Sequence, residues 1–195
     1  MQQATNISDD RAGLLVVDEV ARHITSPRLA ALLWHWHKAR GDRQMPGWRD
    51  LDPAEMVPAL PLIWVWGYDR KTNRFTGRLA GEEVRSIVGR PIVNVPMEEY
   101  FERWNYAEIF ARHKRVVDEP AIAVEKGQVF RCNDRVGFGE RVILPLARDG
   151  LQADMTIAAT TYRLGPEAGE TASGISAGQR FIYRLGGTET QFFPL

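Results

Sequence analysis

The sequence holds a single cysteine, Cys132, in 195 residues. One thiol excludes an intramolecular disulfide and any zinc or iron–sulfur site built from several cysteines of this chain, and it fits a reducing compartment. An excess of either charge is also missing, since 25 basic residues balance 25 acidic ones. No net field therefore draws the chain to nucleic acid or anionic lipid. No apolar run approaches the roughly 20 residues that span a bilayer. The segment up to Arg11 is polar, carries Asp9 and Asp10, and lacks the basic start and apolar centre of a secretory signal. A cytoplasmic chain with neither a membrane nor a nucleic-acid partner is expected.

Chemical signatures are scarce as well. There is no glycine-rich phosphate loop, no nucleophile elbow and no zinc-type His-Glu motif. The acidic pairs Glu82-Glu83 and Glu98-Glu99 are adjacent in sequence, so their carboxylates diverge instead of meeting at one point as acid–base chemistry needs. They read as solvated charge, and no enzyme is expected.

What is present is a foldable composition. Apolar residues at 44% and charged residues at 26% suit a packed domain better than a disordered one. The length allows one good core with extensions. The expected layout is an N-terminal extension over 1–25, a domain over 26–164 and a C-terminal linker and tail over 165–195.

Ser26-Pro27 pairs an N-cap residue with one suited to the first helical position, and no breaker follows before Gly41. A helix over Arg28 to Arg40 is predicted. Leu29, Leu32, Leu33 and Trp36 fall at helical spacing on one stripe, with Trp34 and His37 broadening it. That stripe covers the domain, and it is also the expected homodimer contact. Leu14 to Val17 reads as a short strand or docking segment. Asp52-Pro53-Ala54-Glu55 repeats the helix-start logic, giving a short helix to Ala59.

Leu62 to Tyr68 reads as a strand apolar on both faces, and Arg74 to Leu79 alternates as a second strand after the turn residues Asp69 to Asn73. A short helical stretch through Val84 and Ile87 follows, then one or two helices between Glu98 and Val117. Three more strands are read at Ala121 to Val124, around Glu140 to Leu146, and at Asp154 to Tyr162. Lys126-Gly127 and Asp149-Gly150 are expected to turn between them. Pro145 suggests an edge or a bulge because it lacks an amide donor. Gly165 to Gly178 reads as a flexible link, and Phe181 to Leu185 as a segment that docks back or adds an edge strand.

This order resembles a PAS domain, an α+β fold. The residues sharpen the likeness: Trp36 through Gly41, Met45-Pro46, Arg49 to Pro53, Leu60-Pro61, Arg74-Phe75, Arg78 to Gly81, Gly89-Arg90, Leu144 to Leu146 and Asp149-Gly150. Together they resemble the single-domain PAS proteins of the alphaproteobacterial DUF1457 type, the PAS_5 family, over about residues 29 to 163. The resemblance implies a five-stranded antiparallel sheet with helices on one face and an N-terminal capping helix. It implies a sensory or regulatory module acting through protein–protein contacts with an unidentified signalling protein. Too few residues remain for an output domain of its own. The alternative it leaves open is a receptor with an occupied pocket, and a small enzyme stands behind both.

PAS pockets hold flavin, haem or metabolites, and no particular cofactor is indicated here. A photoactive flavin needs a reactive cysteine in a helical motif after the second strand, whereas Cys132 falls in a later segment. Haem needs an axial ligand, and His113 is the candidate on the long helix. Its neighbours Arg112 and Lys114 suggest a solvated face. From strand alternation Phe75, Leu79, Val124, Leu144 and Ile157 are expected to face a pocket, with Trp104 and Phe110 arriving from the helices. The same residues would equally make a solid core.

Overall fold

In the structure, a computed structural model describing residues 16–101, 103–132, 135–165, 178–185 and 190–194, helix formation begins earlier than expected. Residues 16–22 form α1, so the segment read as a short strand or docking segment is helical where it is described, while Leu14 and Leu15 lie outside the described residues. Val17 and Val20 anchor α1 in the core. Helix α2, Pro27–Arg40, starts as predicted, with the Ser26 side chain accepting from Leu29 N. It ends at Gly41, whose φ of 54° favours a residue without a side chain. The Asp52 start also holds, Asp52 Oδ1 accepting from Ala54 N at 2.9 Å. The segment it opens, Pro53–Leu62, is a 3-10 helix with prolines inside it at 58 and 61.

Seven strands form one antiparallel sheet among the described residues: β1 Ile63–Asp69, β2 Arg74–Ala80, β3 Ala121–Cys132, β4 Arg135–Leu146, β5 Met155–Leu164, β6 Gln179–Arg184 and β7 Thr190–Pro194. Their spatial order is β2-β1-β5-β4-β3-β6-β7. The first five strands in that row are the expected sheet. The strand count is corrected by the tail, where Phe181 to Leu185 supplies most of β6, and β7 follows it at the edge. Most of the link from Gly165 lies outside the described residues. Three helices interrupt the sheet after β2: α3 Glu82–Val88, α4 Met97–Tyr100 and α5 Arg103–Asp118.

The turn expected at Lys126-Gly127 is strand instead. Lys126 and Gly127 sit inside β3, opposite Glu140 and Gly139. The positive φ of Gly127, 106°, is absorbed within a long ladder whose register shifts just beyond it, because a bulge satisfies such a backbone as well as a turn does. Pro145 lies in β4, an interior strand, and pairs in register with Thr156 of β5. The β3 register on β4's other side stops at Ala123 opposite Ile143, so the ladder to β3 asks no amide of Pro145. Asp149-Gly150 does form the turn before β5, with Gly150 at φ 75°.

The register sorts the side chains into two faces. Val124, Val142, Leu144, Ile157, Ala159 and Val65 share one face, which α2 covers. Glu140 on this face locks the covering layer: its carboxylate accepts from Thr25 N at 2.9 Å, Thr25 Oγ1 at 2.5 Å and Ser26 N at 3.0 Å, at the mouth of α2. Trp36 donates its indole N–H to Pro145 O at 2.8 Å. Leu29, Leu32, Leu33 and Trp36 are all 0% exposed. The stripe expected to make a homodimer is therefore consumed within the chain. Among the large side chains of α2, Trp34 stays exposed, at 41%, with His37 edge-on to it at 6.0 Å.

Trp64, Thr156, Ala158, Thr160, Arg141, Ile143, Ala123 and Glu125 make the opposite face, over which α3 to α5 pack. The loop from α3 to α4 is pinned to β2, Gly77 N donating to Val95 O at 3.0 Å and Asn94 N to Gly77 O at 2.9 Å. Only glycine fits there, since a side chain at 77 would run into Ile92 O.

Candidate functional site

Between α3, α5 and the second sheet face lies a cleft of about 750 Å³. Val84, Ile87 and Val88 come from α3, and Asn105, Glu108, Ile109 and Arg112 from α5 at helical spacing. Trp64, Gln128, Phe130, Arg141, Thr160 and Tyr162 make the sheet wall, and Arg90, Ile92, Tyr100 and Phe101 close one end. The walls are mostly apolar and aromatic; the floor is ionic.

At that floor Glu125, 1% exposed, sits among three guanidinium groups. Arg112 Nε lies 2.7 Å from Glu125 Oε1, Arg141 Nη1 3.1 Å from Oε2 and Arg180 Nε 2.6 Å from Oε1. Glu108 Oε1 takes the outer nitrogens of Arg112 and Arg180 at 3.0 and 2.8 Å. Arg141 also donates to Thr160 Oγ1 at 3.0 Å and to Val129 O, and its guanidinium lies 5.3 Å from the Trp64 ring centre. Four elements, α5, β3, β4 and β6, thus meet at one carboxylate.

Burial opposes ionisation of Glu125, but the charges of Arg112, Arg141 and Arg180 outweigh it and hold the carboxyl below its usual range. Burial and then the nearby Arg112 charge pull Arg141 down to about 10. Glu108 is likewise held low, its burial outweighed by Arg180 and Arg112. Glu108, Glu125, Arg141 and Arg180 keep their charges near neutral pH. The arrangement is suited to binding a charge and unsuited to trading protons.

The residues expected to line a pocket are distributed differently. Val124, Leu144 and Ile157 belong to the α2 face. Leu79 pairs with Val65, across a register shift between Val65 and Trp66 that offsets the alternation along β2. Phe75 and Phe110 pack on each other at 5.6 Å beside the cleft without lining it. The side chains of Trp104 and Cys132 lie outside the described residues. His113 is 0% exposed, not solvated: helical neighbours are about 100° apart, so charged residues on either side say little about its face. Its Nδ1 lies 2.8 Å from Thr156 Oγ1, and Trp64 and Phe75 stand at 5.0 and 5.7 Å. Burial first, then Arg112 and Arg141, keep the ring neutral. Nε2 has no partner among the described residues, yet His113 is not part of the cleft wall, so it is not placed to ligate a haem in the cleft.

The profile of a PAS domain family, PAS_5, matches residues 24–159. The chain belongs to the PAS_5 family of PAS domains. No curated protein and no solved structure matches it. The match to this PAS domain opens two residues before the Ser26 cap and closes within β5, so α2 through the first half of β5 is the family's part and β6 with β7 lies beyond it. PAS domains are sensory or regulatory modules more than catalysts, in keeping with the fixed charges in the cleft. No helix among the described residues is long and apolar enough to cross a membrane, and none of their His, Cys, Asp and Glu side chains gather in threes as a metal site requires.

Arg112, Glu125, Arg141 and Arg180 escaped the sequence reading. Their one local sign is charge inside strands that otherwise read as apolar, Glu125 following Val124 and Arg141 preceding Val142. A charge there needs a buried partner.

Proposed function

We propose that this PAS domain is a cytoplasmic sensory module that takes a small molecule into the cleft between α3, α5 and the sheet and reports its presence through contact with another protein. The cleft carries this reading. Its 750 Å³ lies inside the roughly 300–1,000 Å³ of small-molecule sites, and apolar walls over a few convergent polar groups are their usual make-up. The floor supports a reporting role, because Arg180 ties β6, outside the family match, to the carboxylate that Arg112 and Arg141 hold from the cleft. The exposed Trp34, with the half-buried His37 edge-on to it, is the surface of α2 proposed for the partner, in place of the buried stripe. No catalysis is proposed.

The competing reading is an interaction module whose cleft stays empty of ligand. Protein purified from cells, exchanged into volatile buffer and denatured, separates the two by mass spectrometry. The receptor reading expects one small molecule released in an amount comparable to the protein, absent from a mock purification. Release of nothing, from several growth conditions, would favour the ligand-free module.

A further inference from the structure

We infer that the cleft selects a monocarboxylate with an apolar body, its acid group held by Arg112 and Arg141 at the floor; this rests on the receptor reading above. The charge count leads there. Among the described residues three guanidiniums, Arg112, Arg141 and Arg180, face two carboxylates, Glu108 and Glu125, which leaves one positive charge in a largely buried cluster. The side chains of Arg112 and Arg141 are only 8% and 9% exposed, and both line the cleft. An uncompensated charge so placed is costly, and one entering anion neutralises it. The remaining charged groups on the lining do not change the sign. Glu83 is taken by Arg28 at 2.6 Å, and Arg90 adds positive charge over the Tyr100 ring at 4.9 Å.

The geometry selects a carboxylate over a bare cation or a neutral solute. Guanidinium groups match the oxygens of a carboxylate, and at this spot Arg112 and Arg141 already divide the two oxygens of Glu125 between them. Above the forks the wall is Leu62, Val84, Ile87, Val88 and Ile109, a surface for hydrocarbon. Asn105, on the same wall, has a buried Oδ1 with no partner among the described residues. It offers one acceptor for a hydroxyl or amide along the ligand body, or for a water beside it. The crowding of Arg141 by Arg112 would also ease when an anion binds, in keeping with its lowered pKa.

The test is calorimetry on the full chain with 4-phenylbutyrate and with its neutral counterpart 4-phenylbutan-1-ol. The acid is expected to bind at least tenfold more tightly. Two variants locate the contacts: Arg112→Lys, which keeps the charge and removes the fork, should lose most of that preference, while Ile109→Trp, which fills the wall and leaves every charge in place, should weaken both compounds. Circular dichroism of each variant keeps misfolding apart from lost contacts. Equal binding of acid and alcohol, both weakened by Ile109→Trp, would overturn the carboxylate preference and leave the receptor reading intact. Binding of neither compound would overturn the inference, and with no molecule released on denaturation the receptor reading would fall with it.

Discussion

Replacing Glu125 with glutamine is expected to cost about 3–5 kcal/mol of stability, the range seen when one partner of a buried ion cluster is removed. The residue is 1% exposed and is the common partner of Arg112, Arg141 and Arg180. Its loss leaves Arg141 hydrogen-bonded only to Thr160 and the Val129 carbonyl, and leaves Glu108 as the one carboxylate for three neighbouring cations. Urea titration followed by tryptophan fluorescence measures the difference. The double variant Glu125→Leu with Arg141→Met should recover a good part of it, because an apolar replacement removes the charges that were stranded. A loss below about 1 kcal/mol would put Glu125 in the class of weakly contributing surface pairs and contradict the account of the floor.

The same carboxylate sets a direction with pH. The guanidiniums hold the Glu125 pKa below its ordinary value, so the folded state binds a proton less readily than the unfolded one. Its contribution is complete above the usual glutamate range and drains away as acid titrates the folded carboxyl below that range. Wild type should therefore lose stability more steeply than Glu125→Gln on acidification. Parallel acid limbs would contradict the assignment.

Trp36→Ala is the second large effect, about 3–5 kcal/mol for a fully buried tryptophan. Trp36 is 0% exposed and also donates to Pro145 O, so Trp36→Phe should recover packing but not the hydrogen bond. The consequence reaches beyond stability, since α2 covers the sheet face holding Leu144 and Ile157. Weakened docking of α2 bares that face and should raise self-association in light scattering. A dimer built on the Leu29–Trp36 stripe predicts the reverse, a folded monomer on substitution. That outcome would restore the stripe as an interface between copies.

These effects mark where the sequence was informative. Local chemistry read well: Ser26-Pro27 and Asp52-Pro53 start the helical segments they imply, and Asp69, which accepts from Lys71 N, sits at the turn between β1 and β2. These are short-range decisions made by side chains bonding to nearby backbone. Facing failed, and for a definite reason. Both faces of this sheet are covered, so alternation separates Val124, Leu144 and Ile157 from Trp64 and Thr160 without saying which set meets the cleft. The bulge at Leu79 and the in-strand Gly127 need a partner strand to be seen at all. In the ionic floor Glu108 and Arg112 are a helical i,i+4 pair, but no local pattern relates them to residues 125, 141 and 180.

The account turns on which side of the sheet a ligand meets, and methyl NMR of the full chain titrated with 4-phenylbutyrate tests that most directly. The cleft predicts shifts and ligand contacts at the methyl groups of Val84, Ile87 and Ile109, with Leu29, Leu33, Leu144 and Ile157 unmoved. Contacts confined to the α2 face, or no contacts at Val84, Ile87 and Ile109, would contradict it.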